Sequence, residues 1–362
     1  MTSDVTGQST ALSAAAIAEH RTALAEAAVV DDYSRRGAYL ERYGPRGRAR
    51  YLEDTAYHLS FLAQALRSAS PALFTDYIAW VKVLLVHLGI PTDDLVENLQ
   101  CVCRALRNTL PPELAAVACA YVEGGLDQLP QLPDELQTYL AETQPLAPLA
   151  HDYLQALLRG ERATAARLIH DAVDSGISVK EIYLRVFQST QYEIGRLWQL
   201  NQLTVAQEHY CSAVTQSIMS QLHTQIFATA RSGPTFVAAC VQGELHEIGM
   251  RIVADCLEME GWDTFYLGAN TPTAGIVETV VQRRAAVLGL SATMTFHVDA
   301  VAHVIEAIRS NDACRAVKIL VGGYPFRVAG NLWQTVGADG CGLTATEAVG
   351  VANRMVRADP VT

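Results

Sequence analysis

The chain has 362 residues, 50% hydrophobic and 18% charged, enough to bury the cores of two or three soluble domains. Its formal net charge of −11 excludes the broad basic surface that direct nucleic-acid binding needs, since that binding works by neutralising phosphates. No positively charged leader precedes an apolar stretch, and no apolar run reaches the length of a membrane span, so a cytoplasmic protein without membrane attachment is expected. Eight cysteines, at 101, 103, 119, 211, 240, 256, 314 and 341, form no Cys-x-x-Cys pair. They read as reduced, buried thiols.

Residues 1–13, rich in Ser and Thr, are expected to form a disordered tail. From 14 to 142 apolar residues recur at spacings of three and four, with breaks at Ser70-Pro71, Ile90-Pro91, Leu110-Pro111-Pro112 and Leu129-Pro130, which predicts a helical domain. One predicted face carries His58, Phe61, Leu62 and Ala65, and another Phe74, Tyr77, Ile78, Val81, Leu84 and Leu85. Stripes of this kind usually form a core. A Pro-rich linker at 143–148 leads to a four-helix bundle over 149–230, with helices near 149–158, 161–175, 179–199 and 204–228. The last opens on Thr204-Val205-Ala206-Gln207, a capping box in which the Thr hydroxyl takes the amide three residues on and the Gln side chain reaches back.

After Pro234 the pattern changes to alternating strands and helices through 357. Strands are predicted at 235–241, 264–268, 286–291, 317–321 and 340–343, with helices near 247–260, 272–284, 297–310, 327–336 and 345–356. The fold class is therefore α plus α/β: a helical domain, a four-helix bundle, and a Rossmann-like domain with a five-stranded parallel sheet. Ligands bind such sheets at the carboxyl ends of the strands. There the sequence sets Glu244-Leu245-His246 and Gly249 after the first strand, Ser291-Ala292-Thr293 after the third, and Gly322-Gly323 after the fourth. The spacing of these glycines suits close backbone approach to a ligand.

This pattern resembles proteins that bind cobalamin with its lower base displaced, whose motif reads Asp-x-His-x-x-Gly, then Ser-x-Leu, then Gly-Gly. The resemblance implies that His246 ligates cobalt from below. It implies too that the nucleotide tail enters the sheet past Ser291 and Thr293 and over Gly322 and Gly323. Glu244 stands where the family has Asp and Thr293 where it has Leu. A Glu still supplies a carboxylate to the ring nitrogen opposite cobalt, fixing tautomer and basicity. Thr293 is expected to alter packing around the tail more than ligation.

Trp198, nine intervening residues, then Glu208-His209 form the second constellation. A Trp that ends one helix and a Glu that opens the next meet across a short loop, giving an aromatic wall beside a carboxylate suited to a nucleoside. This signature resembles the light-sensing adenosylcobalamin proteins, whose bundle covers the upper face of the corrin. The resemblance implies that Trp198 packs over the adenosyl group while Glu208 and His209 contact the nucleoside and corrin edge. Some of those relatives carry a His directly after the Trp. Here that residue is Gln199, so a bis-histidine state through it is not available.

The long non-basic N-terminal region replaces the reader domain of the light-sensing transcription regulators. Its layout is similar to the photocobilins, which place a helical domain ahead of the bundle and also bind biliverdin. A bilin would need cationic or hydroxyl partners and an aromatic slot. Candidates are His58, Tyr57, Asp76, Tyr77, Trp80, Arg48 and Arg50, against the plainer reading of core aromatics and a solvated basic face. Cys101 or Cys103 could form a thioether, although buried apolar surroundings favour inert thiols. The expected function is a sensor rather than an enzyme. It would bind adenosylcobalamin and biliverdin, form a homo-oligomer (dimer or tetramer) whose assembly changes when light removes the adenosyl group, and signal to an effector protein of unknown identity. The alternative is a corrinoid carrier for methyl transfer.

Overall fold

The computed structural model of the protein describes residues 2–226, 231 and 233–357 and divides into two compact units, Met1–Glu135 and Leu136–Thr362. Among the described residues no helix is long and apolar enough to cross a membrane.

The first unit is helical: α1 (Thr2–Leu40), α2 (Gly44–Arg67), α3 (Pro71–His87), α4 (Thr92–Thr109) and α5 (Pro112–Gln128). Proline stands at the first positions of α2, α3 and α5, where its missing N–H costs nothing. Helix α1 corrects the expectation of a disordered tail. It starts at Thr2, and Ser13 is fully buried with its hydroxyl donating to the Leu114 carbonyl at 2.9 Å. Near its end α1 departs from helical geometry at Arg36. The Arg36 guanidinium there bridges buried Asp32 at 2.6 Å and Asp94 at 2.8 Å. The core combines Leu59, Leu62 and Leu66 with Phe74, Tyr77 and Ile78. Gly125 lets α5 close on α3, because a Cβ there would collide with Ile78.

The second unit begins before the Pro-rich linker, so the helical domain ends earlier than the expected 142. Residues from Leu136 onward belong to the bundle: the Tyr139 amide donates to Glu193 at 2.8 Å and Arg196 to the Leu136 carbonyl at 3.2 Å. Bundle helices are α6 (Ala147–Leu158), α7 (Arg162–Asp174), α8 (Val179–Glu181), continued by a π segment (Ile182–Phe187) into α9 (Gln188–Gln199), then α10 (Val205–Gln221) and the short α11 (His223–Ile226). The helix expected over 204–228 thus breaks at Leu222, and positions 227–230 lie outside the described residues.

The sheet follows with β1 (Thr235–Cys240), α12 (Ile248–Met259), β2 (Asp263–Tyr266), α13 (Thr273–Arg283), β3 (Val287–Ser291), α14 (Val298–Arg309), β4 (Lys318–Gly322), α15 (Tyr324–Val328), α16 (Leu332–Thr335), β5 (Gly340–Gly342) and α17 (Ala345–Arg357). All pairings are parallel, in the order β2-β1-β3-β4-β5. Cys240 pairs with Ser291, Ser291 with Gly322, and Gly322 with Gly342. β1, β3, β4 and β5 therefore end level, and the order in which strands are added switches side between β1 and β3, opening the crevice where open α/β sheets bind ligands.

Bundle and sheet share one apolar core, in which Tyr153, Tyr183 and Phe187 meet Phe236, Leu257 and Trp262. Polar ties converge on α12. The Tyr183 hydroxyl, from the π segment, donates to Asp255 at 3.0 Å, and Arg251 donates to Ser220 at 2.9 Å. Lys180 pairs with Glu260 just past the helix at 2.8 Å.

In the first unit, His58 is buried and its Nδ1 lies 2.7 Å from the Tyr77 hydroxyl. Burial lowers its pKa from 6.5 to about 4. Because the folded value is depressed, the unfolded chain binds the proton first as pH falls. Stability should therefore be lost between pH 6.5 and about 4, by an amount on the order of 3 kcal/mol. Urea unfolding of the full chain against pH should show this component in the parent and not in His58→Gln.

Candidate functional site

The loop after β1 is built around one carboxylate. Glu244 is fully buried, and its Oε1 accepts from the His246 amide at 2.9 Å and from His246 Nδ1 at 2.5 Å. Its Oε2 accepts from the amides of Thr293 at 2.6 Å and Met294 at 3.1 Å, and from His297 Nδ1 at 3.1 Å. Burial alone would raise the carboxyl, but the hydrogen bonds from His246 and His297 outweigh it and hold Glu244 well below the usual carboxylate range. The backbone is fixed as well, since Asn270 donates its amide to the Glu244 carbonyl at 2.8 Å and accepts from the Gly243 amide at 2.7 Å.

The His246 side chain is 59% exposed. With Nδ1 held by the carboxylate, Nε2 is the nitrogen left to face outward, the arrangement of a metal-ligating imidazole backed by a carboxylate. The Glu244 hydrogen bond holds its pKa above the usual histidine range against the effect of burial, and the Glu208 charge on the bundle adds to this. The donor set fits cobalt in a corrinoid, which brings its equatorial ligands and needs one imidazole from the protein.

The other expected sheet residues fall at the strand ends. Ser291 is buried at the end of β3, and its carbonyl accepts from the Val241 amide at 3.3 Å. Gly249 lies in the first turn of α12 with open space beside its Cα. The glycine pair is also required by the protein backbone itself. Gly323 has φ +113, and a Cβ there would collide with the Ala292 carbonyl, while one on Gly322 would fall 2.9 Å from the Gly342 carbonyl oxygen. This close approach between protein backbones packs the loops after β3 and β4 against the end of β5.

His297 and Glu247 escaped the sequence reading. His297 ends the turn after β3 and packs beneath Gly243, whose φ of +86 and 2.9 Å Cβ clearance from Nε2 both require glycine. Glu247 accepts from the Tyr266 hydroxyl at 2.7 Å and the Ala269 amide at 3.1 Å, tying the loop after β1 to the end of β2. The only signal for His297 is the extra methylene of Glu244, which carries the carboxylate far enough to meet a second imidazole.

On the bundle, α9 stops through a Schellman turn. Asn201 has φ +55, its amide donates to the Trp198 carbonyl at 2.9 Å, and Gln202 donates to Leu197 at 2.8 Å. Helix α10 starts on the expected capping box, with both reciprocal bonds present. This turn sets Trp198 half-buried against the bundle core and Glu208 at the first turn of α10. Glu208 Oε1 accepts from the Ser212 hydroxyl at 2.8 Å, His209 Nε2 lies 3.5 Å from Oε2, and Gln199 is buried.

In the first unit the bilin candidates separate. His58 and Tyr77 bond to each other, Phe61 stacks on Tyr77 with ring centroids 3.7 Å apart, and Trp80 lies 6.4 Å from Tyr77 on a half-buried face shared with Asp76. Tyr57 is exposed. The arginines are engaged elsewhere, Arg48 over the Tyr33 ring and Arg50 with Glu53 and Asp54. Cys101 and Cys103 are buried, and burial pushes the Cys101 thiol up to about 11.

A helical bundle packed on a 2-1-3-4-5 sheet, with a carboxylate-backed histidine at the switch point, defines the class of corrinoid-binding modules. Two family models, each described as a B12 binding domain, match residues 149–223 and 234–351. With the corrinoid proteins among its relatives, they support a cobalamin-binding family for this chain. It is similar to dimethylamine corrinoid protein 2 of Methanosarcina mazei, 32% identical over 36% of this chain and 59% of that protein. It is also similar to the HTH-type transcriptional repressor CarA of Myxococcus xanthus, 34% identical over 34% of this chain and 42% of that one. The chain thus spans 59% and 42% of the length of these relatives. Among solved structures, the monomethylamine corrinoid protein of Methanosarcina barkeri shares the fold, with a TM-score of 0.52 and 19% identity over 58% of this chain and 99% of that one.

Glu244→Gln tests the carboxylate. Three donors converge at Oε2 and two at Oε1, so the amide oxygen should take the Oε2 place, the His246 amide should lose its acceptor, and the NH2 should face His246 Nδ1. His246 Nδ1 must then accept, moving the imidazole proton to Nε2. Nitrogen chemical shifts of the ligand-free protein should show this tautomer exchange, and cobalamin ligation through His246 should be lost with it.

Proposed function

We propose that the protein is a light sensor binding adenosylcobalamin between the sheet and the bundle, with His246 as the lower ligand and Trp198, Glu208 and His209 facing the upper axial group. The observation that carries this reading is the turn between α9 and α10, which sets Trp198 in the last turn of one helix and Glu208-His209 in the first turns of the next, as the light-sensing signature requires. A carboxylate and an indole on the far side of the ligand from His246 suit a nucleoside better than a methyl group, which offers no hydrogen bond. Bound adenosylcobalamin supplies a cobalt to carbon bond that visible light breaks. The chain's own part is to hold Nε2 toward the metal through Glu244, to wall the upper pocket with Trp198, and to pass a change there to the shared core through α12. Gln199 leaves the residue after the Trp without an imidazole. The output would be a change in self-association that an effector reads, and biliverdin would bind at the α2–α3 face around Tyr57, Tyr77 and Trp80.

The corrinoid proteins among the relatives favour a second reading, a carrier that presents methylcobalamin to methyltransferases. Reconstituting the full chain with adenosyl-, methyl- and hydroxocobalamin separates the two. The sensor should retain adenosylcobalamin selectively, bleach under green light, and change its elution volume on illumination. Preference for methylcobalamin with no photoresponse would overturn it in favour of the carrier. Adding biliverdin should give a red absorbance band, and its absence would remove the second chromophore alone. His246→Ala should abolish imidazole ligation in either case.

A further inference from the structure

We infer that Gln191 and Ser212 are positioning residues for Glu208, acting through a one-way hydrogen-bond chain that begins at the buried Tyr153 hydroxyl; the inference rests on the reading of the upper face given above. The starting point is a conflict over one proton. Ser212 Oγ lies 2.8 Å from Glu208 Oε1 and 3.0 Å from Gln191 Oε1. A hydroxyl has one proton to give, and a carboxylate oxygen and an amide oxygen can only accept. On the other side, Gln191 Nε2 lies 3.0 Å from Thr215 Oγ1, which is also 2.9 Å from the Tyr153 hydroxyl.

Exchanging the amide oxygen and nitrogen of Gln191, which have the same outline, removes the conflict. Tyr153 then donates to Thr215, Thr215 to Gln191 Oε1, Gln191 Nε2 to Ser212, and Ser212 to Glu208. Each group gives one proton to the next. Thr215 gives up its alternative acceptor, the Cys211 carbonyl at 2.9 Å. Burial raises the Tyr153 pKa, which keeps that hydroxyl protonated as the first donor. Aligned bonds polarise one another, and a terminal carboxylate sets their direction. The chain crosses α6, α9 and α10. Glu208, Ser212 and Thr215 stand at i, i+4 and i+7 on one face of α10, and Gln191 precedes Trp198 by about two turns of α9.

Two consequences follow for the pocket. Oε1 of Glu208 is engaged from behind by Ser212, so a nucleoside hydroxyl would donate to Oε2, which His209 Nε2 approaches at 3.5 Å. Any rotation of Glu208 when the upper ligand changes is felt at Tyr153 and Thr215, both fully buried in the bundle core.

The test measures dissociation constants of adenosylcobalamin and hydroxocobalamin for the full chain in the dark and takes their ratio, since the two share the lower nucleotide tail and only the first carries an upper adenosyl group. Losing a hydrogen bond to a charged group corresponds to roughly tenfold in affinity. Ser212→Ala and Gln191→Leu should each reduce the preference for adenosylcobalamin by about that factor, with hydroxocobalamin affinity unchanged, and Ser212→Thr should restore it. If Ser212→Ala weakens both ligands equally, the residue is merely structural and the inference is overturned. An unchanged ratio in Ser212→Ala beside a collapsed ratio in Glu208→Ala overturns the relay and leaves the upper-face reading standing. An unchanged ratio in Glu208→Ala overturns both.

Discussion

Everything at the end of the sheet is organised by a carboxylate that water cannot reach. Glu244 collects donors from the loop after β1 and the loop after β3, the two segments that flank the switch point. A buried carboxylate without such partners would be neutralised or excluded. The five donors therefore stabilise the charge and, in the same bonds, fix the distance between the loops. The imidazole of His246 inherits its direction from that arrangement. Its exposure and its tautomer are two results of one packing decision.

That decision explains what could and could not be read from the chain. His246 was singled out because Ser291, Gly322-Gly323 and the strand order stand at matching positions around it, whereas a histidine beside acids on a loop is by itself usually only solvated. His297 was not, because it is brought to Glu244 from 53 positions away by the turn after β3. The Gly322-Gly323 pair was found by its spacing, but the collision that a Cβ on Gly323 would have with the Ala292 carbonyl depends on a loop that the spacing does not describe. The helical phases of the first unit followed from proline positions and apolar spacing. Arg48 and Arg50 looked available to a ligand, although Arg50 has Glu53 and Asp54 at the spacing of a helical salt bridge. The burial of Ser13 on α1 goes with a hydroxyl contact to the Leu114 carbonyl 101 positions away, which no local pattern announces.

The bundle adds a second constraint. Its connection to the sheet runs through α12, the helix that begins two residues after His246. Tyr183 reaches that helix from a π segment, where the wider turn shifts the side chains relative to a regular α-helix. Arg251, Asp255 and Glu258 are buried or nearly so on the same element, an unusual density of charge for an interface with an apolar core. Charged contacts of this kind are sensitive to geometry, because a small displacement leaves a buried group unpaired. Ligand loop and bundle thus share one mechanical element.

The strand lengths carry a consequence for association between copies. The outer strands of the sheet are its shortest, four residues in β2 and three in β5. Short edges offer few unpaired backbone groups, and proteins use them to prevent sheets from joining sideways. Edge-to-edge growth is therefore disfavoured at both ends of this sheet. Helical faces differ in this respect, because a change in side-chain packing can weaken or strengthen a contact on them without breaking a hydrogen-bonded ladder.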